Sequence, residues 1–572
     1  MGGMTLAGWA EIAVVLTLVV GAAHPLGSFM SAVFEGRRTF LSPIVEPVER
    51  LVYRLGKVDP TQEQRWLHYT FSMLFLAAGC FLALYAIQRL EPFLPLNPQG
   101  FGPVAPDLAF NTAVSFITNA NWQAYAGETT MSQLTQMVGL TVHNFLDSAA
   151  AMAMAIALVR SFVRGNSATI GNFWVDFTRA NLYVLLPGSI LLALGFVALG
   201  VPQTLLGSIE ATTLEGATQT ISLGPVASQE AIKLLGNNGG GFFNANSAHP
   251  FENPSVWSDM LQNWSQLVLP LAFVFTFGRL ARDPRQGRSL LAVMSLIFVA
   301  SLFIIYQAEA AGNPLVTALG VDPSAGNLEG KDLRFSQASA ALFVAATTGT
   351  GTGAANAALD SLTPIAGLVP MFNLFMGCIA PGGVGTGLYS ILLLAIIAVF
   401  IAGLMVGRTP EYLGKKVEVR EMRLAMFALL LTPALVLGFA AVSASLKMAL
   451  DSLGAAGPHG LSEIIYAYAS TVSDNGSAFG GLNANTPWYN VTTGICLFLG
   501  RFAHVIPLMA IAGSLSQKAK SKPSAGTFPT HGPLFVVLLL AVVAIVTLLQ
   551  FFPALVLGPV VEKVLMSAGK VF

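Results

Sequence analysis

The chain has 572 residues, of which 54% are hydrophobic and only 10% are charged, against roughly 25% charged in soluble domains. Its 29 basic residues are matched by 29 acidic ones, which excludes a basic nucleic-acid surface. Composition alone therefore describes a protein that crosses a membrane many times. Three cysteines, Cys80, Cys378 and Cys496, fall in apolar segments at unrelated spacings, a pattern of neither a disulfide framework nor a thiolate metal site.

Apolar segments of about 20 residues or more are predicted at 6–30, 66–88, 129–160, 173–200, 256–280, 290–310, 357–406, 424–450, 486–516 and 532–560. The first begins close to Met1 with no basic cluster before it, so it reads as a span and not as a cleaved leader. The run 357–406 is too long for one straight helix and carries Gly382, Gly383, Gly385 and Gly387 inside it. Read as one interrupted span, it brings the total to ten. A glycine break at membrane depth is tolerable where it is buried in protein or lines a cavity.

Basic residues set the orientation. Arg37, Arg38, Arg50, Arg54, Lys57 and Arg65 follow the first span; Arg160, Arg164 and Arg179 flank the connection after the third. Arg279, Arg282, Arg285 and Arg288 follow the fifth, Arg408, Lys415, Lys416, Arg420 and Arg423 the seventh, and Lys518, Lys520 and Lys522 the ninth. These alternate connections hold 21 of the 29 basic residues. The expected topology puts both termini on the non-cytoplasmic side.

Four polar, glycine-rich stretches fall on that same far side. They are Thr118-Asn119-Ala120-Asn121-Trp122-Gln123, the run 235–254 containing Asn237-Asn238-Gly239-Gly240-Gly241, Thr348-Gly349-Thr350-Gly351-Thr352-Gly353, and Ser473-Asp474-Asn475-Gly476-Ser477-Ala478-Phe479-Gly480. With Asn121, Gly239, Gly353 and Gly476 as landmarks, the spacings are 118, 114 and 123 residues, a near-constant period that marks diverged repeats. Each stretch follows a segment too brief to span: 108–117, 227–235, 337–346 and 462–472. The unit is span, short re-entrant helix, polar loop, span, four times over, with an extra span at each end. The expected fold is thus an all-α polytopic membrane protein around a pseudo-fourfold axis. Its boundaries are 1–64 for the first span and connection, 65–165, 166–285, 286–410 and 411–520 for the four repeats, and 521–572 for the last span.

Rings of backbone carbonyls on such loops can replace an ion's hydration shell, and the C-terminal ends of the short helices favour a cation. The filter candidates are Asn119, Ala120 and Asn121; Asn237, Asn238 and Gly239; Gly351, Thr352 and Gly353; and Asp474, Asn475 and Gly476. Asp474 is the only acid among them, whereas a calcium or magnesium site normally uses several acidic oxygens. A monovalent, readily dehydrated cation such as K+ fits better. No loop spells Thr-Val-Gly-Tyr-Gly, which excludes a plain tetrameric potassium channel.

The loops at 118–125, 235–254 and 475–479 closely resemble the potassium-binding A-subunit family of the Kdp potassium-transporting ATPase. So do Gly407-Arg408-Thr409-Pro410-Glu411-Tyr412-Leu413-Gly414-Lys415-Lys416 and Leu499-Gly500-Arg501-Phe502-Ala503-His504. The resemblance runs essentially end to end. It implies a subunit of a bacterial inner-membrane complex that selects potassium at an outward-facing filter. A P-type pump subunit (KdpB) would hydrolyse ATP, and small single-span subunits (KdpC and KdpF) would complete the complex. In that family the loop at Gly382, Gly383 and Gly385 lies beneath the filter and steers ions sideways toward the pump. The first repeat departs from the others by carrying Asn121 where they have glycine.

Other residues admit two readings. Gln123 either tunes the filter entrance or holds its loop by hydrogen bonds. Arg501 lies mid-span, where a charge costs about 2.5–3.5 kcal/mol; either it faces the pore below the filter or it pairs with Asp147 or Asp360. The break at Gly382, Gly383 and Gly385 is either a gate or a packing kink. His24, His143, His249 and His504 show no zinc spacing, and no Asp-Lys-Thr-Gly phosphorylation motif occurs, so this chain is not expected to hydrolyse ATP or to carry any cofactor beyond the transported ion. The expected function is the potassium-binding and translocating subunit of an ATP-driven import complex. The alternative is a stand-alone potassium channel or transporter of the same fold, gated by cytosolic regulatory subunits.

Overall fold

The computed structural model describes residues 3–521 and 527–570; Lys522, one of the basic residues used for orientation, and the outermost residues of the chain lie outside them. Among the described residues nine helices are long and apolar enough to cross a membrane. They are Leu6–Phe34, Trp66–Phe93, Thr135–Val163, Phe173–Ala198, Pro284–Ala318, Thr386–Met405, Val419–Ser445, Pro487–Gln517 and Pro533–Ser567. The segment expected at 256–280 also folds as one helix, Val256–Leu280. It differs from the nine because Asp259, Gln262, Asn263 and Gln266 occupy its first turns, all of them buried. Those groups bond within the protein: Asp259 accepts from Asn253 at 2.8 Å and from Asn356 at 3.0 Å.

The run 357–406 is interrupted. Helix Pro364–Phe375 stops, residues 376–385 are irregular, and helix Thr386–Met405 continues. The irregular backbone is buried nearly throughout, as lipid requires of unpaired amides and carbonyls.

Four shorter helices, Pro106–Phe116, Val226–Leu235, Gln337–Gly349 and Gly457–Val472, lie inside the bundle with most of their residues buried. The fourth is longer than its apolar segment, 16 residues instead of 11, because Gly457-Pro458 begins it and Pro suits a first helical turn. The third gains a start from Ser336, whose side chain accepts the Ser339 amide at 2.9 Å, an N-cap worth about 1 kcal/mol.

Burial runs opposite to that of a water-soluble protein. Phe71, Phe75, Leu191 and Leu549 point outward, while Asn111, Gln262, Lys233 and Arg501 are inside. Without a hydrophobic drive between helices in lipid, small residues permit close approach. Gly27 of Leu6–Phe34 does so against Val256–Leu280: a side chain there would come within 2.8 Å of the Ala272 carbonyl. Thr276 Oγ1 in turn donates to the Gly27 carbonyl at 3.2 Å.

Among the described residues two ribbons depart from an otherwise helical fold. Ser208–Thr212 pairs antiparallel with Thr218–Ser222, Ser208 opposite Ser222, and Glu411–Tyr412 pairs with Lys415–Lys416. Both sit in connections, and the first is largely exposed.

At the end of Thr135–Val163, Arg160 grips Asp176 of the next helix with two hydrogen bonds of 2.6 Å. Tyr69 adds a third, donating to Asp176 at 3.0 Å. Removing one partner of a buried pair costs about 3–5 kcal/mol. Asp176→Ala is therefore expected to lower the melting temperature of the detergent-solubilised protein sharply, as read by intrinsic fluorescence; an unchanged melting temperature would show that this clamp carries no stability.

Candidate functional site

The four short helices end in the same way. Asn121, Gly239, Gly353 and Gly476 each turn their amide back to a carbonyl six residues earlier, on Ser115, Lys233, Thr347 and Ser470. The distances are 3.2, 3.1, 3.5 and 3.4 Å. All four residues have positive φ, at 51°, 76°, 76° and 80°. Glycine enters that region freely and asparagine is the side chain that tolerates it best, which accounts for Asn121 standing in for glycine. Two residues earlier Asn119, Asn237 and Asp474 also have positive φ, at 67°, 51° and 54°; Gly351 does not. The shared turn aligns Gly353 with the other three landmarks.

The loops meet one another in cyclic order. A Cβ on Gly239 would collide with the carbonyl oxygen of Thr352, one on Gly353 with that of Asn475, and one on Gly476 with that of Ala120. Loops one and two close the circuit: Asn119 Nδ2 donates to the Asn237 carbonyl at 3.1 Å, and Asn238 Nδ2 to Asn119 Oδ1 at 2.6 Å. Asn237 Nδ2 reaches Thr352 Oγ1 at 2.8 Å, and Asn475 Nδ2 reaches the Thr350 carbonyl at 3.2 Å. Gln123 holds loop two with a matched pair of bonds, accepting the Gly241 amide at 2.8 Å and donating to its carbonyl at 3.1 Å.

The triple glycine in loop two now has three separate reasons. Gly239 faces the Thr352 carbonyl, Gly240 leaves room for the Cβ of Asn121, and Gly241 lies against the Glu252 carboxylate and Asn246. The side-chain nitrogen and oxygen of Asn121, Asn237 Oδ1 and Asp474 Oδ1 are buried at these loops without a protein hydrogen-bond partner.

Behind loops two and three sits a buried charge cluster that reading the sequence missed. Lys233 ion-pairs with Glu230 at 2.8 Å and with Glu252, and donates to Asn246 Oδ1 at 3.0 Å. Glu252 accepts the Phe243 amide at 2.8 Å, and Asn246 accepts that of Ala355 at 3.3 Å. The Lys233 backbone also supplies the carbonyl that receives Gly239, so one residue braces loop two at both ends. The one local signal was Glu230 three residues before Lys233, a helical pair spacing; the partner at 252 was out of reach.

Beneath the loops Arg501 is wholly enclosed. Its Nη1 donates to Asp474 Oδ2 at 3.0 Å and to the Tyr389 hydroxyl at 2.9 Å, and its Nη2 lies 3.6 Å from Asp147 Oδ1. Of the two acids considered for pairing from sequence, Asp147 is beside it. Asp360 instead packs against Gly480, on the rim of loop four. The irregular stretch containing Gly382, Gly383 and Gly385 tucks under loop three: the amides of Ala380 and Gly382 both donate to the Gly349 carbonyl at 3.0 Å. A Cβ on Gly383 would lie 3.2 Å from the Gly351 amide, and one on Gly385 would lie 2.5 Å from the Ala151 carbonyl. His143 bonds to the carbonyls of Gly139 and Cys80, and His249 stacks on Phe243 with ring centres 3.7 Å apart.

Residues 13–564 match the family model described as potassium-transporting ATPase A subunit. A curated relative from Allorhizobium ampelinum is 56% identical over 569 residues, covering all of both chains. Relatives from Granulibacter bethesdensis and Brucella anthropi are 53% and 54% identical over the same length and also cover both chains fully. All three are named potassium-transporting ATPase potassium-binding subunit. Among solved structures, the potassium transporter TrkH from Vibrio parahaemolyticus superposes with a TM-score of 0.53 over 86% of this chain and 98% of its own, at 13% identity. That likeness is one of fold.

Two outcomes follow from the geometry. A Cβ at positive φ costs about 1–2 kcal/mol of stability, and at Gly239 it would also displace the Thr352 carbonyl, where each ~1.4 kcal/mol lost from ion binding is about tenfold in affinity. Gly239→Ala is thus expected to raise the half-saturating potassium concentration for uptake at least about tenfold; unchanged saturation would remove Gly239 from the ring. In a double-mutant cycle, Arg501→Met and Asp474→Asn are expected to be non-additive by about 1–3 kcal/mol in thermal stability. Additive effects would mean the two charges do not depend on each other.

Proposed function

The chain belongs to the family of potassium-transporting ATPase A subunits, and from that premise we propose that it captures potassium at the ring of four loops and hands it to an ATP-hydrolysing partner. The observation that carries this reading is the fourfold repeat of one turn, an amide bonded six residues back at positive φ. Four copies of that turn set four short stretches of backbone about a common centre. The ion ligands are the carbonyls of Asn119, Ala120 and Asn121, of Asn237, Asn238 and Gly239, of Gly351, Thr352 and Gly353, and of Asp474, Asn475 and Gly476.

A cation entering this ring exchanges water for carbonyl dipoles, which suits an ion of low charge density. The C-terminal ends of the four short helices add a negative field at the same place. Asp474 contributes little net charge, because its carboxylate is committed to Arg501. A near-neutral filter of dipoles favours a monovalent over a divalent cation, since calcium and magnesium rely on ionised oxygens. Arg501 stands below the ring with its charge shared between Asp474 and Asp147, and the Gly382, Gly383 and Gly385 segment closes the floor beneath loop three.

The chain carries no phosphorylation motif of its own, so the energy comes from a separate P-type subunit (KdpB), with KdpC and KdpF completing the complex. It works in the bacterial inner membrane with both termini outside. The stand-alone channel is disfavoured because the full-length relatives are named as subunits of an ATPase.

The test is potassium uptake at low external potassium, with and without ATP, in vesicles carrying the chain and its co-purifying partners. Uptake that needs ATP and excludes sodium is expected. Uptake that follows the membrane potential alone, without an ATPase partner, would assign the chain to the channel class.

A further inference from the structure

Between the first two spanning helices lies a helix that no apolar-segment reading exposes, Ser42–Gly56. Its burial is inverted. Glu49 and Tyr53 face the protein and are less than a tenth exposed. Glu49 accepts from Arg179 at 2.9 Å, Tyr183 at 2.8 Å and Tyr53 at 2.7 Å. The apolar side chains face away: Ile44 is 73% exposed, Val48 46%, Leu51 51% and Leu55 75%. These four recur at i, i+4, i+7 and i+11, so they form one stripe along the helix. Phe40, just before the helix, is 78% exposed and extends the stripe.

Beside the stripe runs a basic edge. Arg50 is engaged by Glu46 one turn away, whereas Arg38, Arg54 and Lys57 are exposed; Arg54 lies about 90° round the helix from the stripe, and Lys57 caps the C-terminal end. The helix is tethered at both ends by short connections to spans, seven residues after Phe34 and nine before Trp66. Its anchoring partners Arg179 and Tyr183 belong to the first turns of the spanning segment Phe173–Ala198. The helix is therefore held at the level where that segment enters the bilayer.

We propose that Ser42–Gly56 is an in-plane membrane anchor, its apolar stripe seated among acyl chains and Arg38, Arg54 and Lys57 on the phosphates of anionic phospholipid. A helix with an apolar stripe, a cationic flank and both ends fixed at the surface is built to lie in the interface, and clustered basic residues there select anionic headgroups. A protein partner fits less well, since the stripe is narrow and its flank is cationic at the level of the headgroups. The leaflet is the cytoplasmic one, a designation that rests on the orientation proposed above.

The test uses the complete complex reconstituted in vesicles. Leu51→Cys and Leu55→Cys are labelled with an environment-sensitive fluorophore, with Glu210→Cys on the exposed ribbon as the reference. Phosphatidylglycerol brominated near the headgroup end of its chains is expected to quench the Leu51 and Leu55 labels at least about twofold more than the reference label. At equal bromine content, brominated phosphatidylcholine is expected to quench them less, and Arg54→Gln with Lys57→Gln is expected to erase that preference. Equal quenching at all three positions would overturn the proposal. So would quenching that appears only when the pump partner is omitted, which would assign the stripe to a protein interface. Quenching reports lipid contact whether or not the vesicles transport potassium, so this result is separable from the transport reading.

Discussion

Everything else in the molecule serves one backbone constraint: a residue at positive φ whose amide returns to a carbonyl six positions back, at the end of each short helix. The turn reverses the chain at the point where the neighbouring loop's carbonyl leaves no room for a side chain. Glycine meets both conditions in three loops. Asparagine meets the conformational one in the first, and Gly240 of the second loop yields the space that its Cβ occupies. The asymmetry of a single chain is thus compensated locally, which four identical subunits could not do.

Holding polar backbone at this depth demands partners for every group, and charges demand more. Two buried ion clusters brace the loops. Lys233 with Glu230 and Glu252 braces loops two and three from behind, and Arg501 with Asp474 and Asp147 ties loop four to the helices below. A lone charge in this setting would cost several kcal/mol, so each cluster persists only as a unit. The same neutralisation keeps the ring's field dipolar. The proposed selection by carbonyls and the stability of the buried charges then rest on one arrangement.

Much of the architecture was legible because lipid imposes simple rules: long apolar runs became helices and the glycine-rich recurrences became loops. The third loop could not be fixed from its letters, since Gly349, Gly351 and Gly353 alternate identically with threonine; the positive φ of Gly353 and its amide bond to Thr347 distinguish it. The segment 256–280 folds as the single helix Val256–Leu280, although the buried residues of its first turns are polar. Asp147 was legible as a partner for Arg501, but Asp474 was not, because it was read only as a filter residue; Glu252 was hidden from Lys233 because it lies past the loop that Lys233 supports. Helix Ser42–Gly56 escaped notice for another reason. Its hydrophobic stripe is interrupted by charges at helical spacing, so it never forms a continuous apolar run.

In the proposed function the four loops make one cation site from backbone oxygens. The most direct measurement is a structure of the complex with thallium in place of potassium, using the anomalous signal to locate the ion. A peak is expected on the axis of the ring, among the carbonyls of the stretches ending at Asn121, Gly239, Gly353 and Gly476. A ring without a peak, with the ion bound instead among the carboxylates of Glu230 and Glu252, would contradict it.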